Sequence, residues 1–526
     1  IVVRSVGPAG GPVTALEWNG AAMSVNDRWS LQVTPSPAGV SLGDENSAGW
    51  MTAQSTATTW QGHSGWGYAR LTLPPPMPTM AAEYRLVLSD SRIPMEMMHR
   101  WYKPVPQQIR LHLPDSRFQE SMDAQVTHLM MGLVAGETRP GDPALFHRAW
   151  QRQGAYIVSA LARSGGAHAS RVLSQFLATH DFGGGAGPEA DAPGLSIWAL
   201  TEAADYTADH WHDQWLWPHI VRKTQRIEDM LEARAPLIEP FSIPSPYDLQ
   251  HGQQVRTALL AQPSQNGLIV GRVGSEWPSY YVNAVSYRGL LAAAEFAERL
   301  GKPRQAASWR ERAETLQQSW ERRILNSRPK TGISTVRFNP PAPPDFRLQD
   351  LAQPMTTLRP SDENESMATQ LVHAHRALRE GRTDDVWRTL RRLWDSQASP
   401  GLYTWDGPRP AAAEVADGWQ YARGWHDPAT VSPDYETAAL LLLLQQDMLA
   451  YLDHTGTEPE VVIGAGMTTS WLPQAMSASG LALPGGSVAW QWDGQAMHVT
   501  LHGPSRAIRL GPAFPPHTEL LVTRTP

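Results

Sequence analysis

The chain has 526 residues, 41% of them hydrophobic and 18% charged, the composition of a globular protein with room for two or three domains and a large core. Its 44 basic and 51 acidic residues give a net charge of −7 with no basic block, so a nucleic-acid partner is not expected. Zero cysteines exclude disulfides, thiolate metal sites and a cysteine nucleophile, and no apolar run approaches the ~18 residues of a membrane span. A start at Ile1 without an apolar leader fits a processed export product, so a periplasmic or secreted location is expected, with the cytoplasm left open.

Residues 1–112 read as β structure. Short alternating runs such as Trp29-Ser30-Leu31-Gln32-Val33 and Tyr84-Arg85-Leu86-Val87-Leu88 are separated by clusters of Pro, Gly, Asn and Asp, and a β-sandwich is the simplest closure. From Phe118 to about Asp453 the period is helical, with helices expected over 119–135, 145–164, 168–179, 195–209, 214–234, 284–301, 303–324, 364–380, 384–397 and 435–452. Weaker candidates near 250–262 and 415–423 bring the set to twelve, or six hairpins closing into a ring. Tight glycine turns such as Ser164-Gly165-Gly166 and Leu300-Gly301-Lys302-Pro303 alternate with long loops, which places tight turns on one rim and functional loops on the other. After 455 the pattern is again β, with Val488–Trp492 and Met497–Leu501 flanking an Asp493-Gly494 turn. The expected fold class is therefore mainly α: an (α/α)6 toroid over 116–455, an N-terminal β-sandwich over 1–115, and a small C-terminal β segment over 456–526 that packs with the N-terminal part.

The 22 Trp against 9 Phe suit sugar recognition, because an indole stacks on the C–H face of a pyranose and carries one N–H donor; a helical barrel also packs many Trp, so both uses are expected. Trp198, Trp215 and Trp217 fall on helical patterns and are assigned to packing.

The segment Gly274-Ser275-Glu276-Trp277-Pro278-Ser279-Tyr280-Tyr281 leads into a helix ending Glu298-Arg299-Leu300-Gly301. It resembles the element of the six-hairpin glycosidases, especially the glucoamylase family, in which a Trp-Glu-Glu run precedes an aromatic pair and a helix ending Leu-Gly. Trp150-Gln151-Arg152-Gln153-Gly154-Ala155 is similar to that family's Trp-x-Arg-Asp element, and Ala413-Glu414-Val415 followed by Pro433-Asp434-Tyr435-Glu436 resembles its base loop and last barrel helix. The resemblance covers roughly 120–455. It implies an inverting glycoside hydrolase acting on an oligo- or polysaccharide, with Glu276 as general acid, Glu414 as general base and Arg152 in the sugar subsite. It departs from the family at Gln153, where the family carries Asp.

The residues themselves suit that chemistry. Inversion needs a proton donor and a water-activating carboxylate about 6.5–9.5 Å apart, drawn from separate loops. Trp277, Tyr280 and Tyr281 give Glu276 an apolar surround that raises its pKa. Asp417, Asp427, Glu436 and the acidic turn Asp362, Glu363 and Glu365 compete with Glu414, although that turn also reads as a helix N-terminus. Sugar contacts are expected from Trp150, Arg152, Gln153, Asp191, Trp277, Tyr281, Trp405, Trp419 and Trp425, with Asp181 a further candidate. Gly183–Gly187 lacks the Lys-Ser/Thr of a phosphate loop, and His210-x-His212 lacks a companion carboxylate at fixed spacing, so no metal or other cofactor is expected. The competing classes are a polysaccharide lyase, using Tyr280, Tyr281 or His426 as base with Arg423, and a glycan-binding protein whose site has decayed at Gln153.

Overall fold

The computed structural model describes residues 1–4, 12–45, 47, 49–75, 84–90, 109–133, 136–142, 149–165, 167–182, 188–207, 209–240, 257–273, 277, 279–327, 366–408, 430–453 and 458–525. The chain forms two compact units, Ile1–Pro104 with Ser245–Gly252, and Val105–Pro244 with Gln253–Pro526. None of the described helices is long and apolar enough to cross a membrane.

The first unit is β throughout its described part. A five-stranded antiparallel sheet runs Thr59–Gln61, Ala15–Trp18, Ala22–Val25, Trp29–Thr34, Arg85–Asp90, and a three-stranded sheet runs Val2–Arg4, Gly67–Thr72, Gly39–Asp44. Alternation places Leu31 and Val33 of one strand inward while Gln32 and Thr34 face out. Leu16, Met23, Val25, Leu31 and Val33 of the larger sheet share one core with Leu42, Ala69 and Leu71 of the smaller.

Ten helices are described in the second unit: α1 Ser116–Met131, α2 Gln151–Arg163, α3 Ala167–Thr179, α4 Ala192–Thr207, α5 His210–Leu231, α6 Ser279–Arg299, α7 Pro303–Ser327, α8 Met367–Arg379, α9 Thr383–Asp395 and α10 Tyr435–Leu449. Five of them pack in succession as an inner layer, α8 against α10, α10 against α2, α2 against α4 and α4 against α6. The rest lie outside them, α1 on α10, α3 on α2 and α4, α5 on α4, α7 on α6 and α9 on α8. The sequence explains the division. In α10 the run Leu440–Leu444 is apolar on every side, and every residue of the helix except Glu436 is buried, as a helix surrounded by protein requires. The outer α9 instead keeps Val386, Trp387, Leu390, Leu393 and Trp394 on one inward stripe.

The expected loop rhythm holds. Tight connections 164–166, 208–209, 300–302 and 380–382 follow α2, α4, α6 and α8, whereas long segments precede α2, α4, α6, α8 and α10. The tight turns are helix-stop motifs. Gly301 and Gly381 adopt φ of 68° and 73°, and the N–H groups of Lys302 and Arg382 reach back to the carbonyls of Ala297 and Ala377, each at 2.8 Å.

One expectation fails in the central region. Of the weak helix near 250–262, residues 250–256 lie outside the described residues and the rest belong to the strand Thr257–Gln265, flanked by Leu237–Pro240 and Leu268–Gly271 in a three-stranded antiparallel sheet. Asn266-Gly267, with φ of 55° and 77°, closes the hairpin. The weak candidate near 415–423 lies outside the described residues. The C-terminal hairpin around Asp493-Gly494 forms as read, pairing Trp492 with Met497. It belongs to a five-stranded sheet whose edge strand is Arg110–His112. Many Trp serve the core: Trp198, Trp309, Trp320, Trp387, Trp394, Trp490 and Trp492 are buried, whereas Trp215 is 38% exposed beside His212 and His219.

Close approach of α4 and α6 depends on paired glycines. A Cβ on Gly289 would lie 2.8 Å from the Cα of Gly194, and one on Gly194 would lie 2.7 Å from the Val285 carbonyl oxygen. Both obstacles are backbone and cannot swing away. Gly289→Ala is therefore expected to force the helices apart and to cost about 1–3 kcal/mol, read as a lowered denaturant midpoint with an unchanged m-value.

Candidate active site

Because the long segments all lead into the inner helices, the N-termini of α2, α4, α6 and α10 meet at one end of the layer. Helix N-termini present unpaired N–H groups and partial positive charge, which favours carboxylates there. Trp150 is the half-buried N-cap residue of α2 and has no side-chain capping bond, so the next two side chains project from the first turn of the helix. Arg152 Nε donates to Asp191 Oδ2 at 2.8 Å, just before α4, and Arg152 Nη2 donates to Glu189 Oε2 at 2.7 Å. Tyr281, in the first turn of α6, donates its hydroxyl to the same Asp191 oxygen at 3.1 Å. The Tyr156 hydroxyl lies in hydrogen-bond contact with Tyr281. Asp191 Oδ1 has no hydrogen-bond partner among the described residues.

From the other side, Gln153 Nε2 donates to Glu436 Oε2 at 2.9 Å, across 283 residues of chain. Glu436 starts α10 and is half-buried. Its neighbour Asp434 caps that helix, accepting from the N–H of Glu436 at 3.2 Å and of Thr437 at 3.4 Å. Asp434 N donates to the Trp405 carbonyl at 2.8 Å.

Electrostatics separate these groups. Burial works against the charge of Arg152, but the adjacent Asp191 and Glu189 outweigh it and hold the guanidinium firmly protonated. Burial raises the Glu436 carboxyl, while Arg152 and the Gln153 amide pull it back. Asp434 is pushed up to about 7, first by burial and then by the charge of Glu436. The arrangement offers a fixed cation and a partly open carboxylate on Glu436 whose proton affinity is raised, braced by the buried Asp191.

Of the expected site residues, Arg152, Gln153, Asp191 and Tyr281 are brought together. Tyr281 is 0% exposed and its partner Asp191 1%, so their bond braces the starts of α4 and α6 instead of presenting a surface. Trp277, at 39% exposure, precedes α6. Trp405 is corrected as a stacking surface: it is 1% exposed, its indole N–H is committed to the Leu393 carbonyl at 2.9 Å, and it serves the site only through its own carbonyl. Asp181 is likewise occupied, paired with Arg222 at 2.9 Å and Lys223 at 3.2 Å. Glu276, Glu414, Trp419 and Trp425 lie outside the described residues, as do Asp362, Glu363, Glu365, Asp417, Asp427, Arg423 and His426. The sequence reading missed Glu189, Tyr156 and Asp434; only Asp434 left a signal, as the capping Asp before an apolar helical run. Among the described residues no group of three or more His, Asp or Glu is placed to hold a metal ion.

No protein-family model matches the chain, and no curated protein matches it by sequence. Among solved structures it is similar to the GH78 family rhamnosidase of Bacillus sp. GL1, with a TM-score of 0.50 and 12% identity over 99% of this chain and 54% of that one. A rhamnosidase from Klebsiella oxytoca with rhamnose bound is matched at TM-score 0.43 and 11% identity, over 85% of this chain and 96% of that one. A bacterial glucoamylase complexed with acarbose is matched at TM-score 0.43 and 10% identity, over 82% and 74% of the two chains. The chain spans about half the length of the Bacillus rhamnosidase, and it shares the six-hairpin glycosidase fold.

The capping carboxyl makes stability depend on pH. Asp434 remains protonated in the fold up to about 7, against its ordinary 3.8, so the folded state binds the extra proton between those values. Its contribution is complete below pH 3.8, falls as pH rises to about 7, and is flat above. Asp434→Asn keeps a capping oxygen without an ionisable group. It is expected to flatten the decline in melting temperature between pH 4 and pH 7, and an equal decline in wild type and variant would refute the assignment.

Proposed function

We propose that the chain is a glycoside hydrolase that cleaves an O-glycosidic bond of an oligo- or polysaccharide with inversion, in an (α/α)6 toroid accompanied by an N-terminal β-sandwich and a C-terminal β segment. The observation that carries this reading is the convergence of Arg152, Gln153, Asp191 and Glu436 from three inner-helix N-termini at the end fed by the long loops. A cluster of a fixed cation and several oxygen acceptors is chemically suited to hydroxyl groups, each of which both donates and accepts. The likeness to glycosidases supports the fold on which this reading stands.

Glu276, in the loop before α6, is the proton donor to the leaving oxygen, with Trp277 beside it. Glu414 is the resemblance's choice for the base that activates water. A specific observation favours Glu436 for the same task. It is a half-buried carboxylate in the cluster itself, with raised proton affinity and one oxygen oriented by Gln153. Arg152 argues against the lyase reading, because two carboxylates already hold it and it is not free to neutralise a uronate.

Hydrolysis of a panel of aryl glycosides and natural polysaccharides supplies the first test, followed by proton NMR of the first-formed sugar. The inverted anomer is expected, and a retained anomer or a trapped glycosyl-enzyme would end the inverting mechanism. Glu276→Gln is expected to lower kcat by at least ~100-fold without loss of sugar binding. Glu414→Ala and Glu436→Ala assign the base: the variant that azide partly rescues has lost it, since a small anion can enter the vacated side. A panel that yields no hydrolysis but retains binding would move the protein to the glycan-binding class.

A further inference from the structure

Buried glutamines tie the helices of the second unit to one another. Gln125 of α1 donates to the Tyr403 carbonyl at 3.1 Å, and Gln151 of α2 to the His180 carbonyl at 3.0 Å. On α10, Gln445 donates to the Phe118 carbonyl at 3.0 Å and Gln446 to the Ala160 carbonyl at 3.1 Å. Each of these amides satisfies backbone of another element, as a neutral polar group in a packed interior must. Gln153 is buried like them, at 5% exposure, but its Nε2 meets the carboxylate of Glu436 at 2.9 Å. At that exposure it offers a sugar little surface, whereas its partner is half-buried.

Glu436 is held from two directions. Asp434 accepts its backbone N–H at 3.2 Å, and the Asp434 N–H is in turn tied to the Trp405 carbonyl at 2.8 Å. Gly407 allows the chain to pass against this cap, since a Cβ there would lie 2.6 Å from Asp434 Cγ. With the backbone set in this way, the remaining freedom of Glu436 lies in its side-chain torsions, and the bond from Gln153 selects among them. An N–H donated to a carboxylate also favours the ionised form. Around Glu436 stand Arg152 and Tyr156 of α2, Asp191 before α4 and Asp434 before α10. Asp142 acts on the adjacent Tyr435. Of the helices packed on α10, α1 gives His128 to the Leu402 carbonyl at 2.7 Å, and α8 sends His375 and Arg379 to Asp447, 11 residues further along.

We infer that Gln153 is a positioning residue: through its hydrogen bond it orients the Glu436 carboxylate and stabilises its negative charge. The inference rests on Glu436 as the base of the proposed hydrolysis and adds the group that keeps that base ready. A base acts only when ionised, so activity falls as pH drops through its pKa. Removing the donor raises that pKa, and the acid limb of the pH profile then moves to higher pH.

Two variants and two measurements test this. Gln153→Met deletes the donor at similar length, and Gln153→Glu sets a second carboxyl against Glu436 and serves should Gln153→Met fail to fold. In protein carrying carbon-13 at its glutamate carboxyls, the Glu436 signal is the one that Glu436→Ala removes. Its titration is expected to move up by about one pH unit in either variant. The acid limb of kcat/KM is expected to move with it, with kcat lowered and KM little changed. A Glu436 titration that is the same in wild type and variants overturns the inference, as does a raised KM with an unmoved acid limb, which would return Gln153 to sugar contact. A shifted titration with an acid limb that stays in place would uphold the control of charge by Gln153 and remove Glu436 as the base.

Discussion

The inner helices run parallel, and most of the chemistry of the second unit follows from that constraint. Tight turns return the chain from the end of α2, α4, α6 and α8 to an outer helix, so all inner N-termini face one end and all C-termini the other. Helix dipoles then add instead of cancelling. The positive end gathers Glu189, Asp191, Asp434 and Glu436, whose charges suit exposed N–H groups. The negative end gathers Arg163, Arg299, Arg376 and Arg379, each in the last turn of its helix. The two ends are thus chemically opposite before any ligand is considered. At the N-terminal end Glu189, Asp191, Asp434 and Glu436 gather around Arg152, with Arg272 also acting on Glu189 and Asp191, whereas at the other Asp447 and Glu202 are drawn in to neutralise arginines.

Parallel packing at this density needs small residues where helices cross. Gly194 and Gly289 bring the backbones of α4 and α6 into contact, and that contact sets the distance between Asp191 at the start of one helix and Tyr281 at the start of the other. A hydroxyl-to-carboxylate bond of 3.1 Å between the two helix starts tolerates little spreading. Packing in the middle of the layer and hydrogen bonding at its end are one geometric condition.

The helices were readable because their period is long and sustained: each of the ten strong patterns corresponds to a helix, displaced by a few residues at its ends. Where a pattern was short the reading failed. Residues 257–265 carry an apolar stretch that periodicity alone cannot assign, and the Asn266-Gly267 turn that identifies it as half a hairpin was overlooked. At the site, Arg152, Gln153, Asp191 and Tyr281 were legible through loop motifs. Trp405 was misjudged because a Trp beside Asp and Gly looks like a loop aromatic, and burial depends on what the chain folds against. Glu189 and Tyr156 left no local mark. Their place in the network depends on neighbours from other helices, which no window of sequence contains.

Gln153 follows from the same accounting of charge. The resembled family carries an aspartate at this position, and the amide here at first looks like a lost function. In the structure the side chain at 153 meets Glu436 at 2.9 Å. A carboxylate there would set two like charges at hydrogen-bond distance beside a third, Asp191, which already holds Arg152, and would favour the protonated form of one of the three. Burial and the charge of Asp191 already press Glu436 toward its neutral form, so a further acid would add to that shift. The glutamine amide does the reverse: it donates to one oxygen, favours the ionised form, and fixes the orientation of the other. The amide at 153 and the glutamate at 436 therefore act as one unit, in which a donor in the first turn of α2 orients a carboxylate in the first turn of α10.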